Sequence, residues 1–174
     1  MDMMKKVPVR EQEPAVRAKN CEEVCLGYDA GEAVAEASRC LNCKNAKCIQ
    51  GCPVSIDIPG FIQQVKEGKF AEAAAVIGKS SALPAVCGRV CPQESQCEGK
   101  CVRGIKGEPV SIGKLERFVA DWSRENGIEP EKAKETNGKK VAGIGSGPAG
   151  PTCAGGLAKL GDEGTIFWAL HGPG

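Results

Sequence analysis

The chain has 174 residues, of which 23 are basic and 22 acidic, for a formal charge of +1. That balance supplies no phosphate-binding excess and argues against a nucleic-acid-binding class, and no run of 18 apolar residues exists to span a membrane. The length suits one domain, or a small domain with part of another, and the start (Met1-Asp2-Met3-Met4-Lys5-Lys6-Val7-Pro8) lacks the apolar stretch of an export signal, so a reducing, cytoplasmic setting is expected.

Residues 1–28 are mixed and polar, and Pro8 and Pro14 discourage regular structure. Cys21 and Cys25 are spaced like neighbours on a helical face and read as bystander thiols. Asp29-Ala30-Gly31-Glu32 has the form of a capping box. Ala30, Ala33, Val34, Ala37 and Leu41 follow at helical spacing, so a helix delivers the chain to Cys40. After Cys52-Pro53 the stretch Val54 to Ile58 reads as extended. Pro59 then opens a helix through Phe61, Ile62 and Val65 that Gly68 ends. An alanine-rich helix is predicted from Phe70 to Ile77. Cys87 to Gly107 is glycine-rich and is predicted to be loop. A helix capped near Ser111 carries Leu115, Phe118, Val119 and Trp122 and stops at Gly127. Residues 128–139 are charged and form a predicted linker, and a strand from Lys140 to Ile144 opens a different kind of segment. The expected division is therefore 1–127, a linker 128–139, and 140–174.

Eleven cysteines are present, and eight of them lie between Cys40 and Cys101. The odd total and the missing export signal count against a disulfide scaffold and favour metal ligation. The pattern is Cys40-x2-Cys43-x4-Cys48-x3-Cys52-Pro53, then Cys87-x3-Cys91-Pro92-x4-Cys97-x3-Cys101. Zinc ribbons use paired Cys-x2-Cys knuckles, and only one occurs here. A run ending in Cys-Pro is closer to bacterial ferredoxins, whose last cysteine serves a second cluster. Thiolates supply the soft, anionic donors that iron–sulfur cubes need, and eight thiols suffice in principle for two. A zinc-binding structural or docking module without redox work is the alternative. Lys44, Lys47, Arg89, Lys100, Arg103 and Lys106 sit among these cysteines, either compensating cluster charge or forming a solvated face.

Residues from about 36 to 122 resemble the N-terminal cluster domain of the glutamate synthase small subunit. Related flavoproteins share that domain, among them the NADH-dependent ferredoxin:NADP oxidoreductase subunit and dihydropyrimidine dehydrogenase. The residues that carry the resemblance are Arg39-Cys40-Leu41-Asn42-Cys43, Cys48-Ile49-Gln50-Gly51-Cys52-Pro53, Cys87-Gly88-Arg89-Val90-Cys91-Pro92, Cys97-Glu98-Gly99-Lys100-Cys101 and Pro109-Val110-Ser111-Ile112-Gly113-Lys114-Leu115-Glu116. The resemblance implies a mainly helical, ferredoxin-like domain with two [4Fe-4S] clusters and interleaved ligands. It assigns Cys40, Cys43, Cys48 and Cys101 to one cluster, and Cys52, Cys91, Cys97 and the side chain of Glu116 to the other. Cys87 is then not a ligand. It further implies that the clusters relay single electrons between a flavin reduced by NADH or NADPH and a partner, either a large oxidoreductase subunit such as that of glutamate synthase or a ferredoxin-type acceptor.

The C-terminal segment carries Gly145-Ser146-Gly147-Pro148-Ala149-Gly150 between the strand and a helix of Ala154, Leu157, Ala158 and Leu160, which is the dinucleotide fingerprint in its proper context. The related family binds FAD at this point, which implicates Gly145, Gly147, Pro148, Ala149 and Gly150. Three features depart from that pattern. Trp168 follows the second predicted strand (Gly164-Thr165-Ile166-Phe167) where an acidic residue should hold ribose, Gly143 and Pro151 replace apolar residues, and only an incomplete Rossmann-type βαβ segment fits before Gly174. FAD is therefore expected in full-length relatives and not retained by this chain. Cys153 reads as a small packing residue. His171, the single histidine, is a tail residue without a partner for catalysis. No Ser/His/Asp or Cys/His set can be assembled, so no catalytic residue is expected in this chain by itself.

Overall fold

The computed structural model describes residues 2–130, 133 and 135–169. His171 and part of the expected linker lie outside the described residues. These residues divide into two compact units, one drawn from 1–80 and 84–128, the other from 81–83 and 129–174. Among the described residues no helix is long and apolar enough to cross a membrane.

The first unit is mainly helical. Its N-terminal stretch holds a two-residue strand β1 (Arg10–Glu11), a single helical turn α1 (Pro14–Arg17) and strand β2 (Cys25–Gly27), with β1 and β2 antiparallel. Regular structure survives Pro14 because that proline stands in the first turn, where the missing N–H is not needed. Cys21 lies outside any element and Cys25 is in β2, so the helical face expected to carry both does not exist.

Helix α2 (Ala30–Ala37) begins with the expected capping box. The Asp29 carboxylate accepts from Glu32 N–H, and Glu32 accepts from Asp29 N–H, each at 2.8 Å. A short α3 (Lys47–Gln50) and a turn lead to α4 (Ile58–Lys66), which the Asp57 side chain caps, so the expected extended piece ends before Ile58. Helix α4 buries Ile58, Phe61, Ile62 and Val65, the 3.6-residue stripe of an amphipathic helix. Helix α5 (Phe70–Gly78) packs on α4 and on α7 (Ile112–Glu125), whose Leu115, Phe118 and Val119 complete the core. Each such fully buried side chain contributes about 1.5–3 kcal/mol. Phe70 meets Phe118 and Trp122 edge-on, with ring centroids 5.0 and 5.3 Å apart. Ser111 sits at the start of α7 as expected, but its hydroxyl makes no capping bond.

The stretch expected to be loop between Cys87 and Gly107 is so only in part. Cys87 lies on α6 (Pro84–Val90), and two 3-10 turns, Glu98–Lys100 and Val102–Ile105, follow. Pro84 opens α6, and Gly88 is there for a tertiary reason. A Cβ on Gly88 would stand 2.7 Å from the Arg117 backbone nitrogen, so only glycine lets α6 lie this close to α7.

In the second unit, β3 (Lys140–Ile144), α8 (Ala149–Lys159) and β4 (Glu163–Phe167) follow in order. The strands pair in parallel, Lys140 opposite Glu163 through Ile144 opposite Phe167. This is the strand–helix–strand order expected from the sequence. Thr136 and Asn137, from the predicted linker, hydrogen-bond to residues 160–162. Cys153 is exposed on α8 rather than packed.

One buried ion pair ties the first unit together. Glu36 and Arg39 are both fully buried, and the Arg39 guanidinium donates to the Glu36 carboxylate at 2.5 Å. The carboxylate also accepts from the N–H groups of Val7 and Ser111 at 2.7 and 2.8 Å. Arg39 spends its remaining donors on the carbonyls of Met3, Glu108 and Pro109. Tyr28 closes the network by donating to the Val7 carbonyl at 2.7 Å. Burial pushes its phenol up to about 12. Removing one partner strands the other charge in a low dielectric, so Arg39→Met is expected to cost about 3–5 kcal/mol, a large share of a domain's stability. Urea unfolding followed by circular dichroism checks this, and a midpoint within error of wild type would contradict it.

Candidate metal centre

Seven of the eight clustered cysteines fall into two sets, each drawing on both halves of the segment. Cys40 follows directly on α2, its N–H bonded to the Ala37 carbonyl at 3.0 Å. Asn42, at φ 47°, turns the backbone back so that Cys43 returns to the same place. Cys48 rides on α3, and Cys101 joins the two 3-10 turns. Together Cys40, Cys43, Cys48 and Cys101 line one cavity of about 30 Å³, floored by Ile58 and Ile62 and edged by Lys47, Lys100 and Arg103. Burial raises the Cys40 thiol, with the fields of Cys101 and Cys43 adding to the rise, and pushes Cys48 up to about 11, with those of Cys101 and Cys40 adding. A hydrogen bond fixes the distant pair: the Arg103 Nε–H donates to the Arg39 carbonyl at 2.8 Å, joining the residue before Cys40 to the strand of chain after Cys101.

Cys91 and Cys97 each lie within the fields of both Cys52 and Glu116, which makes these four the second set of candidate donors. Gly51 brings Cys52 in: a Cβ there would meet the Gln96 carbonyl at 2.6 Å, so the chain before Cys52 runs hard against the chain before Cys97. Burial pushes the Cys91 thiol up to about 11, with Cys87, Glu116 and Cys52 adding to the rise. Burial also pushes Cys97 up to about 12, helped by the charges of Glu98, Cys52 and Glu116. Glu116, on α7, is buried, and burial alone pushes it up from 4.5 to about 7. Its Oε1 has no hydrogen-bond partner, the one buried side-chain polar atom among the described residues in that condition.

Gln93 frames this group and was not foreseen from the sequence. Its side-chain amide donates to the carbonyls of Cys87 and Gly88, and its own carbonyl accepts from the N–H groups of Glu98 and Gly99. Glu98 is likewise buried, taking the Lys6 ammonium at 2.6 Å and the Gly113 N–H at 3.3 Å. The sequence offered no signal for Glu98, since a lone carboxylate between cysteines resembles any surface one. Of the basic residues expected among the ligands, Arg89 is employed elsewhere. It pairs with Glu23 and Asp121, each at 2.7 Å.

These donors fit iron–sulfur clusters in kind: soft thiols in fours or threes, with one buried hard oxygen left unsatisfied. Among the described residues no three His, Cys, Asp or Glu side chains are gathered tightly enough for a single metal ion.

At the other predicted site, Gly145 takes φ +105° and Gly150 approaches the Gly145 carbonyl so closely that no Cβ fits between them. Pro148 occupies the N-cap position of α8, Ala149 starts the helix, and Gly147 faces open space. The loop therefore brings bare backbone to a helix N-terminus, as a phosphate cradle requires. Trp168 stands beyond β4, half-exposed.

The family described as dihydropyrimidine dehydrogenase domain II, 4Fe-4S cluster, matches residues 17–128. The chain is 42% identical over 159 residues to the glutamate synthase [NADPH] small chain of Halomonas elongata, covering 90% of this chain and 34% of that protein. It is 42% identical over 147 residues to the same small chain of Escherichia coli K12, covering 83% and 31%. It is also 41% identical over 153 residues to the NAD-dependent dihydropyrimidine dehydrogenase subunit PreT of Escherichia coli K12, covering 88% and 37%. The chain thus spans about a third of the length of these curated relatives.

The raised Glu116 has a measurable consequence in metal-free protein. The folded chain keeps a proton that the unfolded chain releases above pH 4.5, so stability falls as pH rises from 4.5 to about 7 and then levels. Full expression of that shift is worth about 3 kcal/mol. Glu116→Gln is expected to remove this slope from urea midpoints measured across the window. An equal slope in the variant would assign it to other groups.

Proposed function

Because this chain belongs to the family of dihydropyrimidine dehydrogenase domain II, the 4Fe-4S domain, we propose that it is the single-electron relay of a larger NAD(P)H-dependent flavin oxidoreductase and holds two [4Fe-4S] clusters. The small chains of NADPH glutamate synthase and the PreT subunit are its models. Cys40, Cys43, Cys48 and Cys101 would hold one cluster, and Cys52, Cys91, Cys97 and Glu116 the other. When bound, such clusters accept and release one electron at a time at potentials set by ligands, charge and solvent access.

The observation that carries this reading is the buried, partnerless oxygen of Glu116 beside the desolvated thiols of Cys91 and Cys97. An ionisable group left so is costly unless a cation completes it. Binding would release the protons that burial now keeps on the thiols and on Glu116. Ile58 and Ile62 would exclude water from the first site, while Lys47, Lys100 and Arg103 would offset its negative charge. At the second site the nearby cation, Lys6, is taken up by Glu98. That contrast gives the first cluster the higher potential and directs electrons from second to first.

In the longer protein, Gly145, Gly147, Pro148, Ala149 and Gly150 would cradle the pyrophosphate of FAD against the α8 N-terminus. Trp168 supplies no acidic contact to ribose, so flavin binding would rely on residues outside this chain. The electron acceptor would be a partner subunit or a ferredoxin-type protein.

Protein purified without air is expected to be brown and to contain about eight iron and eight acid-labile sulfide per chain. Cys40→Ser and Cys101→Ser are each expected to remove the same paramagnetic signal, and Cys52→Ser the other. Colourless protein carrying zinc would replace this reading with a structural module. A Cys101→Ser variant that loses the signal lost by Cys52→Ser would overturn the ligand partition.

A further inference from the structure

Two short segments of chain each join a donor of one group to a donor of the other. Cys48 rides on α3 and Cys52 follows it, while Cys97 and Cys101 flank the first 3-10 turn, Glu98–Lys100. Four residues at 1.5–2.0 Å per residue make each bridge about 6–8 Å long. The two bridges press together: a Cβ on Gly51 would stand 2.6 Å from the Gln96 carbonyl oxygen and 3.0 Å from the Lys100 side chain. The spacing of the two donor groups therefore rests on one braced pair of helical turns.

The brace is locked from outside. Glu98, in the second bridge, is buried, and its carbonyl accepts from the Cys101 N–H at 2.9 Å. One oxygen of its carboxylate takes the Lys6 ammonium at 2.6 Å, and the other takes the Gly113 N–H at 3.3 Å. Gly113 is the second residue of α7, where an N–H has no partner within the helix. Lys6 is itself anchored. Its N–H donates to the Glu108 carboxylate at 2.7 Å, and the Glu108 N–H donates to the Met4 carbonyl at 2.8 Å. The N-terminal segment, the bridging turn and the start of α7 thus meet at one carboxylate.

Resting on the two-cluster reading, we propose that Lys6 is a positioning residue for electron transfer between the clusters: it holds Glu98 and so fixes the turn from Cys97 to Cys101 that spaces one cluster from the other. Lys6 acts through Glu98 rather than on a cysteine. Electron exchange between two centres falls steeply with their separation. A turn released from Lys6 therefore alters the exchange while every ligand stays in place.

The test compares wild type, Lys6→Met, Lys6→Arg and, as control, Lys5→Met, whose exposed side chain is next in sequence. Amide hydrogen exchange at Gly113 is followed in the metal-free full chain. The same chains, reconstituted without air, are counted for iron and fully reduced, and paramagnetic resonance records the magnetic splitting between the two reduced cubes. All four are expected to hold about eight iron. In Lys6→Met, Gly113 exchange is expected to quicken on the order of tenfold, because the carboxylate that protects it is no longer held. The splitting is expected to narrow while each cube keeps its own g values. Lys6→Arg should restore both readouts, and Lys5→Met should match wild type. Unchanged exchange or unchanged splitting in Lys6→Met, an equal change in Lys5→Met, or no recovery in Lys6→Arg would each overturn the proposal. Loss of half the iron in Lys6→Met would make the pair a support of one site and overturn the spacing role while leaving two clusters in wild type. Wild type with about four iron or fewer would instead overturn the two-cluster reading, and the spacing role with it.

Discussion

The carboxylate of Glu36 and the guanidinium of Arg39, sealed from solvent three residues apart, organise the backbone around both donor groups. Between them they bind backbone groups of Met3, Val7, Glu108, Pro109 and Ser111. A buried ion pair adds little net stability, because desolvation of the two charges offsets most of their attraction. Its effect here is specification. Few other side chains could satisfy so many backbone groups at once, and any shift of the N-terminal segment or of the 108–111 stretch leaves a buried polar group unmatched. Arg39 precedes Cys40, and Ser111 precedes α7, which carries Glu116. The pair therefore sets one end of each donor group.

The same low dielectric shapes the sites themselves. Burial is the first cause of every resolved rise among the candidate ligands: Cys40, Cys48, Cys91, Cys97 and Glu116. Such thiols stay protonated at neutral pH when nothing cationic is bound, whereas Glu116, raised to about 7, titrates there. The first group has Lys47, Lys100 and Arg103 at its edge. The second is bordered by Glu98, whose charge Lys6 offsets from the N-terminal segment at 2.6 Å. The N-terminal residues, unremarkable in sequence, thus close the back of the second group as well as completing the Glu36 network.

What could be read in the sequence was what neighbours in the chain decide. The capping box at Asp29 and Glu32, the start of α4 near Pro59 and the stop of α7 at Gly127 are local chemistry, and all three are found. The helix holding Cys87 was not legible, because Gly88 and its neighbours look like loop composition. The glycine is required by the approach of α7, which is decided far along the chain. Arg89 likewise resembled a charge-compensating residue, yet Glu23 and Asp121 claim it from segments remote in sequence. Glu116 entered only through family resemblance. On an amphipathic helix one carboxylate looks like any other, and its burial follows from the cysteine-bearing segments packed over α7. Glu36 and Arg39 had the i,i+3 spacing of an ordinary exposed helix pair, so nothing local distinguished them from solvated charges.

Interleaving raises the question of what closes the long loop between Cys48 and Cys101. Closure entropy grows slowly, by about 0.6 kcal/mol per doubling of loop length, so the separation itself is no obstacle. The structure closes the loop with apolar surface rather than with donors: α4, α5 and α7 pack through Phe61, Ile62, Val65, Ile77, Leu115 and Val119. Arg103 then fastens the last join through the Arg39 carbonyl. The join is thereby held by packing remote from the clustered thiols, α7 alone of these three helices carrying a candidate donor, Glu116. This arrangement also explains how an additional thiol, Cys87, can stand close to the second group without distorting it. Its position is fixed by the Gly88 contact between α6 and α7.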